Sequence, residues 1–344
     1  MLPSDVRAAK QFAHPVTSLL PSEHPGCDAL LRAMRHMSFQ ARSLAQAADI
    51  FTRMNEQEGV LKILTLAGAL IPGGCKRVIM EMISNRLVDV VVSTGANVSH
   101  DLVEGMGYHH WQHCNFEGDD VELRDAFVNR VYDTYLDDDD FNRTALTVIP
   151  LLDKVAGRRT SREITEYLGR ICKTPCMLSA AAEAGVPIYI PALNDSELAI
   201  TLHRYNDKVP ADQQILWDGL GDNLSFADMI KSVEDTGILI CGGGVPRNWA
   251  QQVTPVLEYL NWSPDVVVRK FEGYRYGIQL TTDTPVYGGM SGCTFSESIS
   301  WGKYQVDSEH VTVNCDVTIA LPLIVAATLA RRKAVAHHGS GVAD

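Results

Sequence analysis

The chain has 344 residues, 46% of them apolar, which suits one large α/β domain or two smaller ones. Its net charge of −12 makes nucleic acid an unfavourable partner, and no apolar run reaches the roughly 18 residues of a membrane span. The opening MLPSDVRAAKQFAHP lacks an apolar signal core, and the eight cysteines have no repeated spacing, so a cytoplasmic protein with reduced thiols is expected.

Residues 1–35 are polar and carry Pro3, Pro15, Pro21 and Pro25, which reads as an N-terminal arm. Residues 36–344 then read as a single domain. From Cys27 to Met54 apolar residues recur at helical spacing, as in Leu44, Ala47, Ile50 and Phe51. LKILTLAGALIPGGCKRVIMEMI, residues 61–83, reads as strand, glycine turn and helix. Such a turn bares N–H groups at a helix start and can seat a phosphate, although a plain connection is the commoner use. LVDVVVSTGANVSHDLVEGMG, residues 87–107, repeats the pattern. Val88 to Val92 suits a strand buried on both faces, and Ser93, Thr94 and Gly95 form its exit turn, where ligands lie in open α/β sheets.

YHHWQHC, residues 108–114, spaces His109 and His113 for a metal, with Cys114 next, but a surface helix is the commoner meaning and no metal is assigned. FEGDDVELRDAF and the run Asp137–Asp140 read as solvated acidic segments. VPIYIPALNDSEL, residues 186–198, is another strand with a polar exit, and residues 222–236 a helical link. GILICGGGVPRNWAQQ, residues 237–252, is a third strand–glycine–helix unit. DVVVRK and YGIQLTT add strands, and VTVNCDVTIALPLIVAATLARR gives a strand, Asp316 and an apolar helix. The repetition predicts an α/β fold, a mostly parallel, Rossmann-like doubly wound sheet with helices on both faces.

The stretch TTDTPVYGGMSGCTFSESISWGK, residues 281–303, holds the sharpest chemical signal. Its glycines suit a binding loop, and Phe295 to Ser300 can make a short helix with Glu297 and Trp301 on one face. Gly302 stands where a helix C-terminal glycine belongs, and Lys303 follows. A lysine kept partly dry beside an indole and a carboxylate can act as a Schiff-base nucleophile, although most lysines after a helix are solvated charges.

SESISWGK resembles the active-site segment of deoxyhypusine synthases, and the likeness runs collinearly from about Phe39 to Ala330, starting at Phe39-Gln40-Ala41-Arg42. The resemblance implies that Lys303 forms the covalent imine. It assigns NAD to Gly68, Ala69, Leu70, Ile71, Pro72 and Gly73, to Thr94, Gly95 and Ala96, to Asp195, to Gly242, Gly243 and Gly244, to Thr282, Asp283 and Ser291, and to Asp316. It assigns the polyamine to Glu297, Trp301, Asn248, Asp195, His100 and Gly243. Departures from eukaryotic members cluster in that pocket: Ser99 and His100 replace glutamates, Asn248 a histidine, and Ile200 and Met290 acidic residues. In this reading NAD takes a hydride from spermidine, and the butyl-imine moves to Lys303 and then to an acceptor amine. The acceptor is a protein lysine in deoxyhypusine synthases and putrescine in homospermidine synthase relatives. The family also implies a homotetramer with sites at subunit interfaces. Open alternatives are a small-amine acceptor, agmatine or putrescine as donor, and a catalytically silent NAD-binding homologue.

Overall fold

The computed structural model of the chain describes residues 15–112, 119–260 and 272–339. In chain order its strands are β1 (Val60–Leu66), β2 (Val90–Ser93), β3 (Trp111–Gln112), β4 (Val128–Val131), β5 (Thr134–Asp137), β6 (Gly157–Arg159), β7 (Ile188–Tyr189), β8 (Ile215–Trp217), β9 (Asp235–Cys241), β10 (Tyr274–Thr281) and β11 (Tyr304–Asn314). Six of them form one sheet in the order β11-β10-β9-β1-β2-β7, every pairing parallel. The strand expected over DVVVRK lies outside the described residues.

The apolar runs lack a polar alternation because both faces of the sheet are covered. In β1, Ile63 packs on one side and Leu64 and Leu66 on the other; in β9, Ile238 and Ile240 oppose Leu239 and Cys241. One face is closed by helices that include Phe39–Glu56, Lys76–Ser84 and Val317–Gly339. The other is closed by Phe226 and Ile230 of the helix Gly219–Lys231, with Ala250, Val253 and Leu257. The fold is therefore the doubly wound sheet that the sequence predicts.

Its strand order positions the site. Counted in chain order, the six strands run 3-2-1-4-5-6 across the sheet, the dinucleotide-fold order. The chain winds outward from β1 through β2 and β7, and from β9 through β10 and β11. The connections after β1 and β9 thus diverge to opposite faces and leave a crevice at the carboxyl ends of these strands. The amide of Ala67 donates to Cys241 O at 3.0 Å across the floor of that crevice.

Three segments differ from the sequence reading. Residues 108–112 run extended into β3 rather than forming a surface helix, and β3 joins β5 and β4 in a small antiparallel sheet. His113 and Cys114 lie outside the described residues. The acidic run is not uniformly solvated: Asp137 caps the helix Asp138–Val148, and Asp140 is buried, with Arg143 Nη1 donating to it at 3.2 Å. Burial, helped by Asp137, holds the Asp140 carboxyl above its usual range. Within the region read as an arm, the helix Cys27–Met34 buries Leu31 in the main core.

Candidate active site

A cavity of about 1100 Å³ opens at the crevice. It is lined by Gly68, Ala69, Leu70, Pro72 and Gly73 after β1, by Gly242, Gly243 and Gly244 after β9, and by Thr282, Asp283, Ser291 and Asp316 beyond β10 and β11. These residues are separated by up to about 250 positions in sequence, and the parallel sheet alone brings them together. The sequence reading missed the roof: His110 and Gln112, with Tyr132 and Asp133 of the turn between β4 and β5 and Thr134 of β5, also line the cavity.

The glycines are needed for specific reasons. Gly68, Gly242 and Gly244 have φ of +63°, +81° and +62°, where a side chain is strained. Gly243 is extended, but a Cβ there would stand 1.9 Å from Ser291 O. That close approach lets the Gly244 amide donate to Ser291 O at 3.0 Å. The Asp283 carboxylate accepts from the amides of Ser291 at 2.8 Å and Thr284 at 2.9 Å, which holds its pKa below the usual carboxylate value. The binding loop is thus folded back on itself by one aspartate and clamped to the glycine turn.

Ile71 and Thr94–Ala96 do not line this cavity. Ile71 is buried in the core. Thr94 instead positions the first loop: its hydroxyl donates to Gly68 O at 2.9 Å and accepts from Asn97 Nδ2 at 3.1 Å. Asn97 is fully buried, and its Oδ1 accepts from the amides of Leu70 at 2.7 Å and Ile71 at 3.3 Å. The sequence reading overlooked Asn97; an Asn three residues past a strand-exit threonine, opposite a glycine loop, was the available signal. Gly95 packs against the neighbouring connection, since a Cβ there would stand 2.4 Å from Ser196 Cβ. Asp195 and Thr94 therefore sit on adjoining turns. Asp316 caps the helix Val317–Gly339: Oδ1 accepts from the Thr318 amide at 2.8 Å and hydroxyl at 3.0 Å.

The predicted nucleophile does not line this cavity but is tied to the helix that starts at its glycine turn. The helix Phe295–Ser300 forms as expected, with Thr294 capping it through the Glu297 amide at 3.1 Å. It ends in a Schellman turn: Gly302, at φ +68°, donates to Ile299 O at 2.9 Å, and Lys303 donates to Ser298 O at 3.0 Å. Lys303 Nζ then donates to Asn248 Oδ1 at 3.1 Å. Asn248 rides the helix Gly244–Gln251, about 6 Å along its axis from Gly244 at the cavity. Gln251 Nε2 donates to the Tyr304 hydroxyl at 2.6 Å and fastens the same helix beside Lys303. Glu297 is exposed, and Trp301 is 68% exposed. Their side chains face solvent on a single chain rather than closing over Lys303.

His100 belongs to a different group. Its Nδ1 lies 2.9 Å from His110 Nε2, and His110 Nδ1 lies 2.7 Å from Glu104 Oε1. The other oxygen of Glu104 is ion-paired with Lys76. Burial, together with the neighbouring His110, pushes His100 down to about 4. For Glu104 burial acts upward, but the hydrogen bonds from His110 and Lys76 outweigh it and hold the carboxyl below its ordinary value.

The sequence profile of the family described as deoxyhypusine synthase matches residues 29–328. The chain belongs to the deoxyhypusine synthase family. It is 36% identical to "Probable deoxyhypusine synthase 2" of Archaeoglobus fulgidus over 297 residues, 85% of this chain and 94% of that one. It is 35% identical to "Probable deoxyhypusine synthase 1" of Methanosarcina mazei over 326 residues, 94% of this chain and 97% of that one. A "Deoxyhypusine synthase-like protein" of Chlorobaculum parvum is 35% identical over 304 residues, 86% of this chain and 84% of that one. The crystal structure of a candidate deoxyhypusine synthase from Entamoeba histolytica superposes with a TM-score of 0.58 at 15% identity, covering 92% of this chain and 97% of that one, a likeness of fold. Deoxyhypusine synthases are transferases that move an aminobutyl group from spermidine, and the chain is assigned to that enzyme class. Among the described residues no helix is long and apolar enough to cross a membrane.

Proposed function

We propose that this protein transfers a 4-aminobutyl group from a polyamine to an acceptor amine, with NAD in the large cavity and Lys303 as the covalent carrier. The observation that carries the proposal is the contact between Lys303 Nζ and Asn248 Oδ1, one helical turn from the glycine cradle. The cavity suits a dinucleotide because it lies at the point where the strand order reverses and is floored by glycines that a Cβ would block. Gly68, Ala69, Leu70, Pro72 and Gly73, with Gly242–Gly244, would hold the cofactor by backbone contacts, and Asp316, through the oxygen not used in capping, would take a ribose hydroxyl. NAD bound there supplies a hydride acceptor for the amine α-carbon and later returns the hydride.

The chain's own residues do the rest. Asn248 accepts one N–H of Lys303 Nζ, which leaves the neutral amine its second N–H and its lone pair for the substrate. The amine nitrogen of Lys303 attacks the oxidised donor carbon, the C–N bond to the leaving diamine breaks, and the butyl group remains as an imine on Nζ. Trp301 offers an aromatic wall to the alkyl chain and Glu297 a carboxylate to its far ammonium. The exposure of both on a single chain supports a homotetramer in which a second copy closes the site.

Ile200 is 50% exposed and Met290 94% exposed, at positions where eukaryotic relatives carry carboxylates. Fewer carboxylates grip an ammonium less selectively, which favours a small amine as acceptor beside a protein lysine. Borohydride reduction during turnover with NAD and spermidine should add mass to the peptide bearing Lys303. Label that persists in Lys303→Ala would refute the carrier assignment.

A further inference from the structure

The histidines between helix Gly95–Gly105 and β3 are not used by the chemistry above. His110 lines the cofactor cavity, its side chain 5% exposed, and both of its ring nitrogens are engaged. Glu104 accepts at Nδ1, so that nitrogen carries a proton. One further proton is shared along the 2.9 Å line between His110 Nε2 and His100 Nδ1. Among the described residues His100 Nε2 has no hydrogen-bond partner. A proton that arrives there can be balanced by moving the shared proton from His100 Nδ1 to His110 Nε2. The resulting imidazolium sits against the Glu104 carboxylate. His100 is poorly placed to keep the charge itself, because it is packed edge-on against Phe141, with ring centroids 5.4 Å apart. Lys76 on the other carboxylate oxygen keeps Glu104 ionised. The groups that face the pair are therefore Glu104 from its own helix, Lys76 from the helix Lys76–Ser84 and the apolar ring of Phe141 from the helix Asp138–Val148.

The proposed reaction, on which this inference rests, needs a base. A donor amine enters as an ammonium, and its α-carbon can release a hydride only once the nitrogen is neutral. Asn248 has no group that accepts a proton at neutral pH, and Lys303 must keep its lone pair for the attack on the imine carbon. We propose that His100, His110 and Glu104 form a proton relay, with His110 in the wall of the cofactor cavity, that deprotonates the donor amine before hydride transfer. The N–H bond of the ammonium breaks, its proton enters at His100 Nε2, and the shared proton moves on to His110. The neutral amine is the form from which bound NAD would take the α-hydride, and Lys303 would attack the C=N carbon so formed. The relay returns its proton to the departing diamine.

The relay is tested first on the apo protein, by long-range proton–nitrogen spectra of ¹⁵N-histidine-labelled wild type and Glu104→Gln. Added proton should be felt by both rings together, and Glu104→Gln should move the His100 transition to lower pH, since the Glu104 carboxylate favours the His100 imidazolium. Single-turnover NADH formation with NAD and spermidine is then followed against pH. Its acid limb should move to lower pH in Glu104→Gln by the shift seen in the spectra, and His110→Gln should slow the step by about 10²–10⁴-fold, the usual worth of a positioned base. Calorimetric NAD binding checks that each variant is folded; if His110→Gln binds none, Glu104→Gln alone decides. An acid limb unchanged in Glu104→Gln overturns the relay while the transfer reaction stands. NADH formation by no polyamine overturns the reaction instead, and the spectra then judge the relay, independent titration of the two histidines refuting it.

Discussion

Asn97→Ala tests whether the cofactor loop is built as described. The substitution removes the Oδ1 that accepts from the amides of Leu70 and Ile71. The Leu70 amide borders the cavity and can be rehydrated, so its loss is that of one net hydrogen bond, about 1 kcal/mol. The Ile71 amide is buried, and leaving it unpaired costs about 1–3 kcal/mol, at the lower end because its bond is already 3.3 Å long. The sum, about 2–3 kcal/mol, should fall on the loop rather than on the whole sheet, since among the described residues the Asn97 side chain bonds to this loop, to Thr94 and, at 3.5 Å, to the last residue of β1, Leu66. Native-state hydrogen exchange reads that directly. At about 1.4 kcal/mol per tenfold change, the amides of residues 68–73 should exchange about 30–100 times faster, with β9 amides unchanged. NAD affinity should fall with them, because an unpinned loop must be ordered on binding. Unchanged exchange at Leu70 and Ile71, or acceleration spread evenly over the sheet, would refute the assignment of Asn97 as the loop's anchor.

Two further substitutions separate overlapping roles. Asp316→Ser keeps a helix cap while removing the carboxylate, so it should preserve thermal stability yet weaken NAD binding by about 1–3 kcal/mol, the worth of a buried ribose hydrogen bond, as read by calorimetry. A drop in melting temperature with unchanged NAD affinity would make Asp316 a capping residue alone. Gly243→Ala places a methyl 1.9 Å from Ser291 O, so the clamped loop must move away. NAD binding should be lost or reduced at least about tenfold while the far-ultraviolet circular dichroism is retained, and wild-type affinity would show that the close approach is dispensable.

Much of the protein was legible in its linear order. Alternating apolar strands and helices with glycine exits specify a parallel sheet, because a strand buried on both faces has no other local pattern. The run from Phe295 to Lys303 encodes its own geometry: a threonine cap, a six-residue helix and a glycine at φ +68° that delivers Lys303. Such features are determined within one turn of the chain and so survive reading by eye. The separation of roles among the candidate residues was not. That Thr94 holds Gly68, 26 residues earlier, and that Ile71 turns into the core depend on contacts between segments. The same holds for His100, whose partner His110 is ten residues away on an extended segment that the sequence pattern presents as a surface helix. The sequence by itself determined the sheet, its glycine turns and the lysine at a helix end, because those follow from local periodicity and backbone sterics. Only the tertiary structure decided the strand order that opens the crevice, the roof that encloses it and the pairing of His100 with His110 in its wall, because each requires separate segments to meet.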